Sequence, residues 1–173
     1  MKRSGILNAE LVKLIAELRH GHMIMVTDAG FPVPRDVPCI DLAITKNVPA
    51  IEFILQLIDS EMITEKIIFA GELRTNNPSL HKKVLTIFDD CDSEEVAHLD
   101  LIQKYAPEMK CFIHTGEFSP WGNIILVAGT DPFRWFADET TVVPDFYHKR
   151  LRQIRESKKL DRFDRSDFTR KDC

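Results

Sequence analysis

The feature that most restricts how this chain can fold is an alternation of two periods. Five runs of mostly apolar residues, Met23–Thr27, Ile40–Ile44, Lys66–Ala70, Lys110–His114 and Asn123–Ala128, are too short for stable helices. Length and β-branched content make them buried strands. Between them the apolar positions fall at helical spacing. Asn8 is a good N-cap, and Leu7, Leu11, Leu14, Ile15 and Leu18 then line one face of a helix over residues 9–19. Pro49 opens a second helix, with Ile51, Ile54, Leu55, Ile58 and Met62 on one side. Asn77-Pro78-Ser79 starts another, through about Phe88. A short one over His98–Tyr105 is stopped by Pro107. Asp89–Glu95 reads as an acidic loop, and Thr115–Gly122 as a loop between the last two strands. Strands alternating with helices predict an α/β domain: a layered sheet of mostly parallel strands flanked by helices.

A length of 173 residues with 44% apolar content suits a single domain with a real core. No apolar run reaches 18 residues, so no membrane span is expected. The opening MKRSGILNAEL lacks an apolar signal-peptide region. Cys39, Cys91, Cys111 and Cys173 are scattered with no CxxC pair, which predicts a reduced, cytoplasmic protein. Charge is uneven. Tyr147–Cys173 holds ten Lys/Arg against five Asp/Glu, so the tail is near +5 and the rest near −9 within a total of −4. An acidic body argues against nucleic acid as partner. The character changes after Gly129. Residues 1–130 read as the α/β body. Residues 131–173 read as a C-terminal extension, irregular to Pro144, with a basic helix over Tyr147–Leu160 and a frayed last dozen.

Four places near strand or helix ends offer chemistry. They are His20 with His22, Asp28, His98, and the loop with Glu117, Ser119, Trp121 and Asn123. Each has a plainer reading. A histidine after a helix caps carbonyls. Asp28 before Ala-Gly forms turns. His98 at a helix start is ordinary surface, and Trp121 beside Pro and Gly packs over a sheet. His20, His22 and Asp28 make only a weak metal signal, with no further firm ligand. There is no GxGxxG, GxxxxGK[ST] or GxSxG motif. The remaining set of a titratable imidazole, a carboxylate, an amide and an aromatic face suits a sugar.

The blocks LNAELVKLIAELRHGH, DAGFPVP, DLAITKNVPA, NNPSLH and TGEFSPWGNIILVAGT stand in an order that resembles the D-ribose pyranase / L-fucose mutarotase family. The resemblance runs from about Met1 to Gly129, and the ribose branch is closer. It implies a ribose-pyranase-like fold and an isomerase that interconverts ring forms or anomers of a free monosaccharide such as ribose or fucose, without metal or cofactor. It implies that His20 is the proton donor and that Asp28 is the sugar-binding carboxylate. His98, Trp121, Gly122 and Asn123 would complete the sugar contacts. It also implies a homo-oligomer, a ring-shaped pentamer or two stacked pentamers making a decamer, with sites near subunit contacts.

Three residues depart from the family pattern: Trp121 replaces a tyrosine, His22 an aspartate and Arg19 a glycine. The chemistry needs one proton delivered to the ring oxygen and one taken from the anomeric hydroxyl. A histidine does this near neutrality, and the base could be water, Asp28 or His98. Two rival readings stand beside the enzyme. One is a non-catalytic sugar-binding or transport-accessory protein. The other is an assembly module docked through its basic tail.

Overall fold

The computed structural model describes residues 5–138, 140–159 and 162. Its order is α1 (Ala9–Glu17), β1 (Met23–Thr27), β2 (Cys39–Asp41), α2 (Ile51–Asp59), β3 (Thr64–Ala70), α3 (Gly71–Asn76), α4 (Pro78–Ile87), β4 (Asp92–Val96), α5 (His98–Asp100), β5 (Cys111–His114), β6 (Ile124–Ala128), α6 (Pro132–Trp135) and α7 (Asp145–Glu156). After α5 the chain runs on as a wide π-helical turn over Leu101–Tyr105 and a tight turn over Ala106–Glu108.

The six strands form one sheet in the order β2-β5-β1-β6-β3-β4. β1, β2 and β5 pair in parallel, as do β3 and β4, and β6 runs antiparallel between β1 and β3. The expected mostly parallel layered sheet is thus present, with one reversed strand at its centre. Both faces are covered, which is why the strands read as continuous apolar runs. On one face Ile24, Val26, Ile67, Phe69, Ile113 and Leu126 pack against Leu11 and Leu14 of α1, Ile54, Leu55 and Ile58 of α2, and Leu80 and Val84 of α4. On the other, Met25, Ile68, Phe112 and Ile125 meet Phe31, Leu101, Ala106 and Met109.

Local chemistry explains most boundaries. The Asn8 side chain accepts from the Leu11 N–H at 3.0 Å, as a cap should. Asn77 does the same for α4, with Pro78 in the first turn. Three expectations within residues 1–130 need correction. The second strand is only Cys39–Asp41, because Thr45 and Val48 bridge to each other in a turn that takes Asn47 to φ +59°. α2 begins at Ile51 rather than Pro49, and its first N–H donates to buried Glu117 at 3.0 Å. The stretch Asp89–Glu95, expected to be an acidic loop, is in its second half the edge strand β4. Asp, Ser and Glu disfavour strands in isolation, but β4 pairs with β3 on one side only. Its charges protect that edge and meet Lys66, Arg74 and Lys149.

The basic helix lies at Asp145–Glu156, earlier than Tyr147–Leu160, and Leu160 and most of the last dozen residues are outside the described ones. α7 is fixed to the body by a buried charge cluster. Arg150, 3% exposed, donates to the Thr64 carbonyl at 2.8 Å, to the Asp90 carboxylate at 3.2 Å and to the Asp90 carbonyl. Lys159 bridges Asp59 at 2.6 Å and Asp90 at 2.7 Å. No helix among the described residues is long and apolar enough to cross a membrane.

Candidate functional site

β1 is flanked by the two most conspicuous candidates, and it separates them. Asp28 follows its carboxyl end and His20 precedes its amino end. Five strand residues at roughly 3.3 Å each put about 16 Å of sheet between the two groups. One chain therefore does not bring His20 and Asp28 together.

Asp28 sits where ligands collect in α/β sheets, beyond the carboxyl ends of parallel strands. The Gly30 N–H donates to its Oδ1 at 3.0 Å, the side-chain N–H of Asn123 to its Oδ2 at 2.9 Å, and its own N–H to Asn123 Oδ1 at 3.1 Å. Asn123 is 2% exposed, so this reciprocal pair is a rigid support. Burial pushes the Asp28 carboxyl up from its ordinary value, against the Gly30 N–H, the Asn123 amide and the nearby rings of His98 and His114. An aspartate that is merely a turn former gains the Gly30 bond alone. Here the partner is 95 residues away.

The loop before β6 supplies the rest. Trp121 is half-buried and has φ +58°, a conformation unusual for a large side chain. The Asn123 N–H donates to the Trp121 carbonyl at 2.9 Å and helps to hold that shape. Gly122 packs closely, since a Cβ there would stand 3.2 Å from the Ser119 carbonyl oxygen. Glu117, singled out in the sequence with this loop, has a structural task. Its carboxylate accepts from the Ile51 and Ser119 N–H groups. A cleft of about 280 Å³ opens between Asp28–Gly30 and Glu117–Pro120.

His98 begins α5, and its backbone N–H donates to both oxygens of Glu72, at 3.3 and 3.4 Å. Its Nδ1 is shielded from solvent and has no hydrogen-bond partner among the described residues. Such an atom invites a ligand hydroxyl. Thr27 Oγ1, at the end of β1, is in the same condition. His114 was not singled out in the sequence. It ends β5, beside β1, and its Nδ1 lies 2.9 Å from Asp41 Oδ1. The signal that would have found it is positional: it ends a parallel strand adjacent to the one that carries Asp28.

At the far end of β1, His20 faces a different neighbourhood. Its Nε2 is 2.9 Å from Glu65 Oε2 and 3.1 Å from Oε1. The Trp135 ring meets it edge-on, with centroids 6.3 Å apart. His20 is thus no carbonyl cap, because α1 ends at Glu17 and the chain turns at Gly21, φ +81°. His22 plays the local part instead, its Nδ1 accepting from the Arg19 N–H at 3.0 Å.

The sequence and the fold both recur among known proteins. D-ribose pyranase 2 of Rubrobacter xylanophilus is 44% identical over 150 residues, 87% of this chain and 97% of that protein. A match of that length runs past residue 131 and takes in α6. The structure of Bacillus subtilis RbsD complexed with D-ribose superposes with a TM-score of 0.72 at 37% identity, covering 75% of this chain and 98% of that one. A fucose mutarotase in complex with L-fucose from Streptococcus pneumoniae shares the fold, with a TM-score of 0.60 at 20% identity over 72% of this chain and 94% of that one. The model of the RbsD / FucU transport protein family matches residues 1–131, and the chain belongs to that family.

Proposed function

We propose that this chain is an isomerase that interconverts the ring forms of a free monosaccharide, with D-ribose the leading substrate. The observation that carries the reading is the Asp28–Asn123 pair beside Trp121 and the unpartnered Nδ1 of His98, in a chain 44% identical to a D-ribose pyranase. Asp28, His98, Trp121, Gly122 and Asn123 hold the sugar. Each Asp28 oxygen keeps a further lone pair for a hydroxyl, and the Trp121 face stacks on ring C–H groups.

His20 is the proton donor. Its place at the opposite end of β1 supports a homo-oligomer in which the His20 end of one copy meets the Asp28 end of another. A ring-shaped pentamer or a decamer of stacked pentamers provides such contacts. Residues 1–130 form the catalytic body and residues 131–173 an extension upon it. We place the protein in the cytoplasm, which the free thiols of Cys39, Cys91 and Cys111 support.

Ring opening proceeds as the His20 imidazolium gives a proton to the ring oxygen while a base takes the proton of the anomeric hydroxyl. The bond from C1 to the ring oxygen breaks as the C1 carbonyl forms. After rotation at C1, O5 or O4 attacks the aldehyde, its proton returns to His20, and O1 is reprotonated. The base is water, Asp28, His98 or His114, the last oriented by Asp41. General acid–base catalysis of this kind contributes about 10²–10⁴-fold, enough for a reaction that is already spontaneous.

The test is NMR saturation transfer between ring forms of free sugars, ribose and fucose included, with wild type and His20→Ala. Faster exchange with wild type, lost in His20→Ala while sugar binding persists, is the expected result. Unchanged exchange in the variant refutes the assignment of His20. Sugar binding without accelerated exchange in the wild type establishes the rival, a binding-only or transport-accessory protein. That rival draws on the same observation, the separation of His20 from Asp28 within one chain.

A further inference from the structure

The surroundings of His20 contain two side chains with no part in the sugar contacts. Glu65, at the start of β3, places both carboxylate oxygens on Nε2. Its side chain is 14% exposed against 42% for His20, so the imidazole leans from an open pocket onto a mostly buried anion. The neighbouring backbone makes room for that anion. A Cβ on Gly129 would stand 2.7 Å from Glu65 Cβ and 3.2 Å from its Oε2. Both chain segments are tied down, because Gly129 donates to the Ile63 carbonyl and Gly21 to the Ala128 carbonyl, each at 2.8 Å. Trp135 then closes one flank of the imidazole, at an interplanar angle of 83°. It projects from α6, whose N-cap Asp131 accepts from the Phe133 and Arg134 N–H groups. The open pocket beyond, about 370 Å³, is bordered by His20, Arg19, Thr130 and Trp135.

We propose that Glu65 and Trp135 are positioning residues for His20: Glu65 binds Nε2–H so that Nδ1 alone is presented to the sugar, and Trp135 fixes the plane of the ring. The inference rests on the mutarotase reading above and deepens it. A histidine that can adopt either tautomer offers the wrong nitrogen part of the time, and a second hydrogen bond removes that freedom. The proton that moves is the one on Nδ1, passing to the ring oxygen and back, while the Nε2 proton stays on Nε2 against Glu65. The C-terminal extension thereby contributes directly to the catalytic end of the body.

The experiment uses the full chain, with Glu65→Ala, Glu65→Gln, Trp135→Ala and Trp135→Phe beside wild type and His20→Ala. Ring-form exchange of ribose gives kcat and KM, and ¹⁵N-histidine NMR reports the His20 tautomer without any sugar. Neutral His20 is expected in the Nε2–H form in wild type and as a mixture in Glu65→Ala. That variant is expected to lose about tenfold to a hundredfold in kcat, the scale known for outer partners of metal-bound histidines, with KM little changed. Glu65→Gln keeps an acceptor and recovers most of the loss, and Trp135→Phe recovers more than Trp135→Ala. Wild-type kcat in Glu65→Ala, or an unaltered tautomer, overturns the proposal. So does a loss that appears in KM or in assembly rather than in kcat. If wild type accelerates no sugar, the enzymatic reading fails on its own, and the tautomer spectra still decide whether Glu65 governs the His20 ring.

Discussion

Replacing Arg150 with alanine tests how the extension is held. The guanidinium is 3% exposed and serves two main-chain carbonyls, of Thr64 and Asp90, and one Asp90 carboxylate oxygen. Its removal leaves those acceptors shielded from water and strips one of the two cations from Asp90. Breaking a buried ion pair by deleting one partner costs about 3–5 kcal/mol. Lys159 stays on Asp90 at 2.7 Å, which favours the lower end. For a chain of this size each kcal/mol moves Tm by roughly 2–4 °C, so a fall of roughly 6–12 °C is expected. Lys149 provides the contrast from the same helix. It pairs with Asp92 at 2.7 Å but is 58% exposed in its side chain, and Lys149→Ala should cost no more than about 1 kcal/mol. Calorimetry and urea unfolding at one fixed protein concentration separate the two, since Tm depends on concentration wherever a protein self-associates. Equal, small losses in both variants would refute the argument that α7 is pinned through a buried charge.

The raised carboxyl of Asp28 gives a pH dependence. On the role proposed for Asp28, sugar binding needs the carboxylate, so it is present at higher pH and is lost as pH falls through a value above that of an ordinary aspartate. Asn123→Ala removes a contact that lowers this value, so the acid limb of ribose affinity, followed by titration calorimetry, should move upward while affinity weakens overall. An unmoved limb would count against the Asp28–Asn123 pair. Gly116→Ala would place a Cβ 2.3 Å from the Thr45 carbonyl oxygen and 2.5 Å from that of Val48. Both are backbone atoms, and a loss of about 1–3 kcal/mol in denaturant unfolding is expected; a neutral effect would contradict the packing of that loop.

Much of the candidate site was legible because its local signals are strong. Asp28 ends a buried run, Asn123 begins one, and Trp121-Gly122 joins a Pro-bearing loop to the latter. Strand ends next to turn residues mark the ligand edge of an α/β sheet. Glu65, Trp135 and His114 were not legible as candidates. Glu65 stands just before the run Lys66–Ala70 that reads as a strand, Trp135 lies in a stretch that reads as irregular, and His114 ends a run whose neighbour in the sheet is 87 residues away in sequence (Thr27 opposite His114). β4 was missed for a related reason: edge pairing overrides the poor strand propensity of Asp-Ser-Glu-Glu once β3 offers a free edge.

Local sequence determined where the chain turns from strand to helix, which faces are apolar, and which residues carry titratable or aromatic chemistry. These follow from period, caps and turn residues, which act over a few positions. Tertiary structure decided the antiparallel insertion of β6 between β1 and β3, the pinning of α7 through Arg150 and Lys159, and the separation of His20 from Asp28 by the length of β1. Those depend on pairings across many residues, whose energies come from burial and desolvation that no short stretch of sequence contains.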